Sequence, residues 1–384
     1  MESRFQALAE EAAARWDVPA LAVGTLAGDE SSELALGCDA GTRFRIASVT
    51  KPMTARLALA LLDPDDATGV WPGDVRVRHL LSHTSGFACE CGDLARFGDG
   101  DDALGRAVAQ LPSVPRLVGL EEAWSYANSG YWLAGHLAAE RAGASYEEAL
   151  AEHVLAPARL EATAFDEPDV AGSGPGAATA PYPRARRPSG GLVSTVSDLA
   201  RFARWHLADG RSAAMRVVHG KPVGGVYGLG LFGERVGGVE VWGHPGSYGG
   251  FQSSLLVVPD RGAAFVGLTS SGRGAQALHE LEDAWLESVV GARRRRPDTV
   301  VLDAEALARF AGTYGIDATT AVVEAADGGL VVDVTDGDEH RRASARPIGA
   351  RTFEVTSGDE AGYRFDFPLE GFARLGSILL PRLG

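Results

Sequence analysis

The chain has 384 residues, 45% hydrophobic and 23% charged, the balance of a soluble globular protein of one or two domains. Its 51 acidic against 36 basic residues leave a net charge of −15, which argues against a phosphate-backbone partner and an anionic membrane surface. No run approaches the roughly 18 apolar residues of a membrane span, and Met1-Glu2-Ser3-Arg4-Phe5 lacks a cationic start before an apolar block, so a cytoplasmic location is expected.

In chain order, residues 4–16 read as a helix. Val18 to Leu26 and Leu34 to Leu36 read as strands around the turn Gly28-Asp29-Glu30. Thr50 to Asp63 is a strong helix closed by Pro64. From 75 to 165, helical patterns alternate with Gly/Pro/Asp loops, and 171–189 is an aperiodic Gly/Ala/Pro/Arg stretch expected as a long surface loop. A helix follows to 208, with Thr195 and Asp198 at the spacing of a capping box. Gly238 to Gly250 and Ser253 to Ser270 read as strands, the second holding a hairpin turn at 257–263, and Gln276 to Val290 as a helix. Beyond a linker at 291–299 come short β runs split by Asp-Gly, Gly-Gly and Ser-Gly turns, the pattern of a small antiparallel barrel or sandwich. The cluster Arg293-Arg294-Arg295-Arg296 is expected to be solvated linker.

Three cysteines, Cys38, Cys89 and Cys91, do not make a disulfide framework, and Cys89-Glu90-Cys91 lacks the two-residue gap of a metal knuckle. Free thiols are expected, with no metal and no cofactor.

Only two basic residues are lysines, Lys51 and Lys221. Arginine stays protonated in proteins, whereas lysine loses its proton when desolvated. Lys51 follows Ser48 by three residues, which at a helix start puts both side chains on one face. Pro52 fits a first helical turn, where its missing N–H costs nothing. The helix dipole and nearby backbone N–H groups then favour an alkoxide on Ser48. A second group is Trp124-Ser125-Tyr126-Ala127-Asn128-Ser129-Gly130: a tyrosine beside a lysine relays protons, and an asparagine amide offers a donor and an acceptor. A third is Gly243-His244-Pro245-Gly246-Ser247-Tyr248-Gly249-Gly250, whose small residues allow close backbone approach. Pro245 has no N–H, leaving Ser247 to donate with the Ser48 amide into an oxyanion hole.

Each group alone is weak; together, in this order, they resemble the serine β-lactamase and penicillin-binding-protein superfamily. The fit is to its class C-like branch of esterases, D-aminopeptidases and DD-peptidase homologues, over residues 5–290. Leu80-Leu81-Ser82-His83-Thr84-Ser85-Gly86, Ser189-Gly190-Gly191-Leu192-Val193-Ser194-Thr195 and Tyr227-Gly228-Leu229-Gly230 belong to the same likeness. The resemblance implies an α+β fold: an antiparallel sheet flanked by helices over 1–292, with an all-helical subdomain at about 70–185. A lipocalin-like β-barrel at 300–384 is implied by Phe310-Ala311-Gly312-Thr313-Tyr314. It also implies Ser48 as the acylated serine, Lys51 as its activator, Tyr126 as general base or acid and Asn128 as substrate-orienting amide. His244, Gly246 and Ser247 fall on the third motif as substrate-binding residues, and His83 on a structural loop. His-Pro-Gly stands where β-lactamases usually have Lys-Thr-Gly, which removes a cation that meets a substrate carboxylate.

The implied function is a serine hydrolase of esters, small amides or D-amino-acid peptides, acting through a Ser48 acyl-enzyme. The alternative is an acyltransferase or peptide cyclase of the same fold. Efficient β-lactamase activity and an inactive binding module rank below both. The expected partner is a small-molecule or short-peptide acyl substrate, with no nucleic acid and no membrane.

Overall fold

The computed structural model describes the whole chain except residues 1, 29, 71–73, 89–92, 179, 338 and 359. Cys89 and Cys91, and the middle of the turn at 28–30, lie outside the described residues; Cys38 is a half-buried free thiol.

Two strands start the molecule, β1 (Leu21–Ala27) and β2 (Glu30–Leu36), after helix α1 (Glu2–Arg15). Five more come late: β3 (Val226–Tyr227), β4 (Phe232–Val236), β5 (Val239–Tyr248), β6 (Phe251–Val258) and β7 (Ala263–Thr269). They form one antiparallel sheet in the order β2-β1-β7-β6-β5-β4-β3, so β1 pairs with β7 and not with its neighbours in sequence beyond β2. The period of two along β1 explains why both faces are covered. Leu21 and Val23 enter one core with Phe265, Leu281 and Trp285, under α1 and the helix α5 (Gly274–Val290). Ala22 and Leu26 enter the larger core on the opposite face, with Leu199 and Phe202 of the helix α4 (Val196–Ala208). Gly24 lies on that second face because a Cβ there would stand 2.7 Å from Val196 Cγ2.

Thr195 caps α4 as its spacing predicts, its hydroxyl accepting from Asp198 N at 3.1 Å. The Asp198 carboxylate also accepts from Ala162 N and Thr163 Oγ1, both at 2.8 Å, and so fastens α4 to the helical layer. Helix α2 (Thr50–Leu61) is enclosed from Thr50 through Ala58 and runs through the middle of that layer beside α3 (Asn128–Ala142). Residues 171–189 are mostly irregular as expected, but end in two short helical turns, Arg184–Arg186 and Arg187–Gly190.

The tail closes into an eight-stranded antiparallel barrel: β8 (Gly312–Ile316), β9 (Thr319–Ala326), β10 (Gly329–Asp336), β11 (Glu339–Pro347), β12 (Thr352–Val355), β13 (Arg364–Asp366), β14 (Phe372–Leu375) and β15 (Ile378–Leu383). Thr313 and Tyr314 pair with Leu383 and Arg382 to complete the ring. Eight strands leave an interior that side chains fill or that holds one small ligand. Here Phe310, Tyr314, Phe353, Phe365 and Phe367 pack into it, with centroids 4.5 Å apart for Phe310 and Phe367. Arg294 in the linker is not solvated as expected: it is half-buried, 2.7 Å from Glu234, 2.9 Å from Glu282 and 3.1 Å from Asp283. No helix of the described residues is long and apolar enough to cross a membrane.

Candidate active site

Ser48 is placed by a tight 3-10 turn, Ala47–Val49, immediately ahead of α2. The helix begins at Thr50, as the sequence reading has it, and Ser48 lies in the 3-10 turn just ahead of it. Ala47 has φ of 44°, a left-handed backbone that alanine rarely adopts. The turn is held from both sides: Ile46 N–H donates to Leu192 O at 3.0 Å, and Ser253 Oγ of β6 donates to Ile46 O at 2.7 Å. Ser48 is half-exposed between buried neighbours.

One turn on, Lys51 is wholly enclosed at 0% exposure. Its Nζ donates to Ser48 Oγ at 3.1 Å and to Ser189 O at 2.6 Å. The same Nζ sits 4.7 Å from the ring centre of Tyr126 and 5.4 Å from that of Tyr131. Tyr126 and Asn128 are half-buried while Ser125, Ala127 and Ser129 are buried, so exposure alternates along this turn. Asn128 is the first residue of α3. The structure thus gathers Ser48 and Lys51, from one stretch of chain, with Tyr126 from another.

His83 lies directly beneath. Its ring stands 4.2 Å from that of Tyr126, and its Nδ1 accepts from Ala127 N–H at 3.0 Å, which leaves the hydrogen on Nε2. Burial, with the Lys51 and His244 charges next, holds its pKa well below the ordinary imidazole value. A neutral ring with a committed Nδ1 supports the turn carrying Tyr126.

The third motif runs along β5. Gly246 presses against the nucleophile turn: a Cβ there would stand 2.3 Å from Ile46 O and Ser253 Oγ and 3.1 Å from Ser48 N. Ser247 is exposed at the mouth, where Gln252 Nε2 donates to its Oγ at 2.9 Å. His244 is 1% exposed. Its Nδ1 donates to Pro245 O at 2.6 Å, and its Nε2 accepts from the Tyr227 hydroxyl at 3.1 Å. Burial, then the Lys51 charge, pushes its pKa down to about 3. Both ring nitrogens are bonded within the protein, and the geometry leaves neither free for a substrate.

Sequence reasoning missed Tyr227 as the partner of His244 and Ser189 O as the second holder of Lys51, although both lie in phrases it singled out. It also missed Tyr182, whose ring meets Tyr248 at 4.7 Å and whose hydroxyl would stand 2.6 Å from a Cβ on Gly190, beside Ala47. No spacing rule marks these three residues. Among the described residues, no group of three or more His, Cys, Asp or Glu could hold a metal ion.

Comparisons with known proteins cover the same ground. A family model described as Beta-lactamase matches residues 5–290. Penicillin-binding protein 4 of Amycolatopsis lactamdurans is 29% identical over 82% of this chain and 96% of that protein. A crystal structure of SurE with D-Leu superimposes with a TM-score of 0.77 at 25% identity, covering 99% of each chain and so including the barrel. A D-stereospecific amidohydrolase from Streptomyces sp. gives a TM-score of 0.60 at 25% identity, over 71% of this chain and 97% of that one.

Proposed function

This chain belongs to the β-lactamase family, and we propose that it is a serine acyl hydrolase working through an ester on Ser48. The carrying observation is the enclosed Lys51 amine 3.1 Å from Ser48 Oγ. That separation is within reach of proton transfer. Ser48 Oγ attacks a substrate carbonyl and its proton passes to Lys51 and Tyr126, which share the transfer. The N–H groups of Ser48 and Ser247 receive the oxyanion. Collapse breaks the bond to the leaving amine or alcohol, which takes the proton back, and water then repeats the sequence on the ester.

The proposed substrates are small D-amino-acid amides, esters or short peptides. The D-stereospecific amidohydrolase and the SurE structure holding D-Leu support that class. The neutral His244 supports substrates without a carboxylate at the third motif.

A panel of p-nitrophenyl esters, D- and L-amino-acid anilides and a chromogenic cephalosporin tests the reading, with Ser48→Ala as control. D-anilides should outrun L-anilides, Ser48→Ala should be silent, and a phosphonate should add once, at Ser48. An adduct on Ser85, Ser129 or Ser247 would sink the assignment. Adding a free amine distinguishes hydrolysis from transfer or cyclisation, since a transferase diverts most of the acyl group to the amine.

A further inference from the structure

The barrel interior is filled with aromatic side chains, which leaves its rim as the place where it meets the rest of the molecule. The β14–β15 hairpin does so at one spot. Gly376, with φ of 59°, opens its two-residue turn, as such turns require. The next residue, Ser377, accepts from Tyr126 N–H through its carbonyl at 2.8 Å. Leu379 N–H donates to Ser125 Oγ at 3.2 Å, and the Leu379 side chain is buried against Val118 and Ala123.

Arg374 completes the contact. It is 3% exposed and grips Asp366 with two hydrogen bonds, of 2.9 and 2.6 Å. Its Nη1 donates to Trp124 O at 2.9 Å and to Lys221 O at 3.1 Å, and its Cζ lies 5.7 Å from the centre of the Trp124 ring. A planar guanidinium held by a bidentate carboxylate has little freedom left, so Arg374 acts as a fixed pin.

Residues 124, 125 and 126 are therefore held from the barrel, while Ser125 N–H donates to His83 O at 3.1 Å and Ala127 N–H to His83 Nδ1 at 3.0 Å on the other side. The turn carrying Tyr126 is clamped between two distant parts of the chain. Proton transfer depends steeply on such placement: a shift of about 1 Å costs about 10²-fold in rate.

We propose that Arg374 is a positioning residue for Tyr126, and that the β14–β15 hairpin completes the catalytic site. This rests on the reading that Tyr126 shares the Ser48 proton transfer. The alternative is a docking contact that carries stability alone.

The experiment uses full-length wild type, Arg374→Ala, Arg374→Lys and Asp366→Asn. Each is reacted with a fluorophosphonate across a pH series, with labelling stoichiometry as the count of folded sites. Arg374→Ala should label fully at Ser48 but about 10²-fold more slowly, with a displaced pH–rate profile. On a p-nitrophenyl ester its kcat should fall with KM little changed. Arg374→Lys should recover part of the rate, and Asp366→Asn should show a smaller loss of the same kind. A folded Arg374→Ala with the wild-type rate per site and pH profile overturns the positioning role. If Arg374→Ala yields no folded protein, Asp366→Asn decides by the same readings. Wild type that fails to label at Ser48 overturns the acyl-enzyme reading and this proposal with it.

Discussion

Lys51 shows what enclosure does to a single side chain. With no solvent contact and a 2.6 Å bond to Ser189 O, it has one position available. If its work is to move a proton, charge alone will not replace it. Lys51→Arg should then lose about 10²–10⁴-fold in acylation rate, nearly as much as Lys51→Ala, because guanidinium stays protonated. Single-turnover acylation measures this, and an arginine variant keeping most of its rate would make Lys51 a fixed cation. His244 leads to a second expectation. Neutral and bonded to Tyr227, it offers no positive charge to a carboxylate. A neutral short-chain ester should therefore exceed a chromogenic cephalosporin in kcat/KM. A cephalosporin value near about 10⁶ M⁻¹s⁻¹ with the ester far below would contradict this. The grouping of Ser48, Lys51 and Tyr126 was legible because motif spacing survives in a linear text. The burial of His244 and its bond to Tyr227 were not, since Tyr227 lies 17 residues away and two strands across the sheet.

Among the elements, β5 is the one on which the nucleophile turn leans. Gly246→Ala would put a methyl group 2.3 Å from Ile46 O, so either the strand or the Ser48 turn must move. Overpacking of this kind costs about 1–3 kcal/mol of stability. The displaced turn should cost about 10²-fold in acylation, so activity should fall well before the fold does. Urea midpoints and labelling rates on the same sample separate the two. Ser247→Ala should do little by comparison, because the proposed oxyanion contact uses its backbone N–H. Most elements were readable from period and punctuation. The hairpin between β6 and β7 appeared where Pro259 and Gly262 mark a turn, and α4 began at its Thr195 cap. The 3-10 turn at Ser48 was not readable, because nothing in the word Ile-Ala-Ser announces a left-handed Ala47.

For the molecule as a whole, buried histidines contribute to the response to acid. His206 is 2% exposed, and neither ring nitrogen has a hydrogen-bond partner. Burial pushes its pKa from 6.5 down to about 3. His83 and His244 are depressed in the same direction. Between pH 6.5 and pH 3 the unfolded chain binds a proton at His206 that the folded one refuses. Stability from this group is therefore complete above pH 6.5 and lost as the pH falls towards 3, at about 1.4 kcal/mol per pH unit. His206→Leu should gain on wild type by that slope in urea unfolding, with no change in the gap above neutrality. A gap independent of pH would mean that folded His206 takes up a proton. The barrel itself was legible from its Asp-Gly and Ser-Gly turns, which recur between short β runs. Its grip on residues 124–126 was not, because Arg374 and Ser377 belong to no motif and lie about 250 residues from their partners.

That separation gives the clamp a consequence in time. Trp124 and Arg374 are 250 residues apart, and a ribosome adds about 5–20 residues per second. Tyr126 emerges about 12–50 s before the side chain proposed to set it in place, and Ser48 and Lys51 earlier still. On the proposal made for Arg374, a chain grown past Ser247 but short of Arg374 carries the groups assigned to acylation yet acylates slowly.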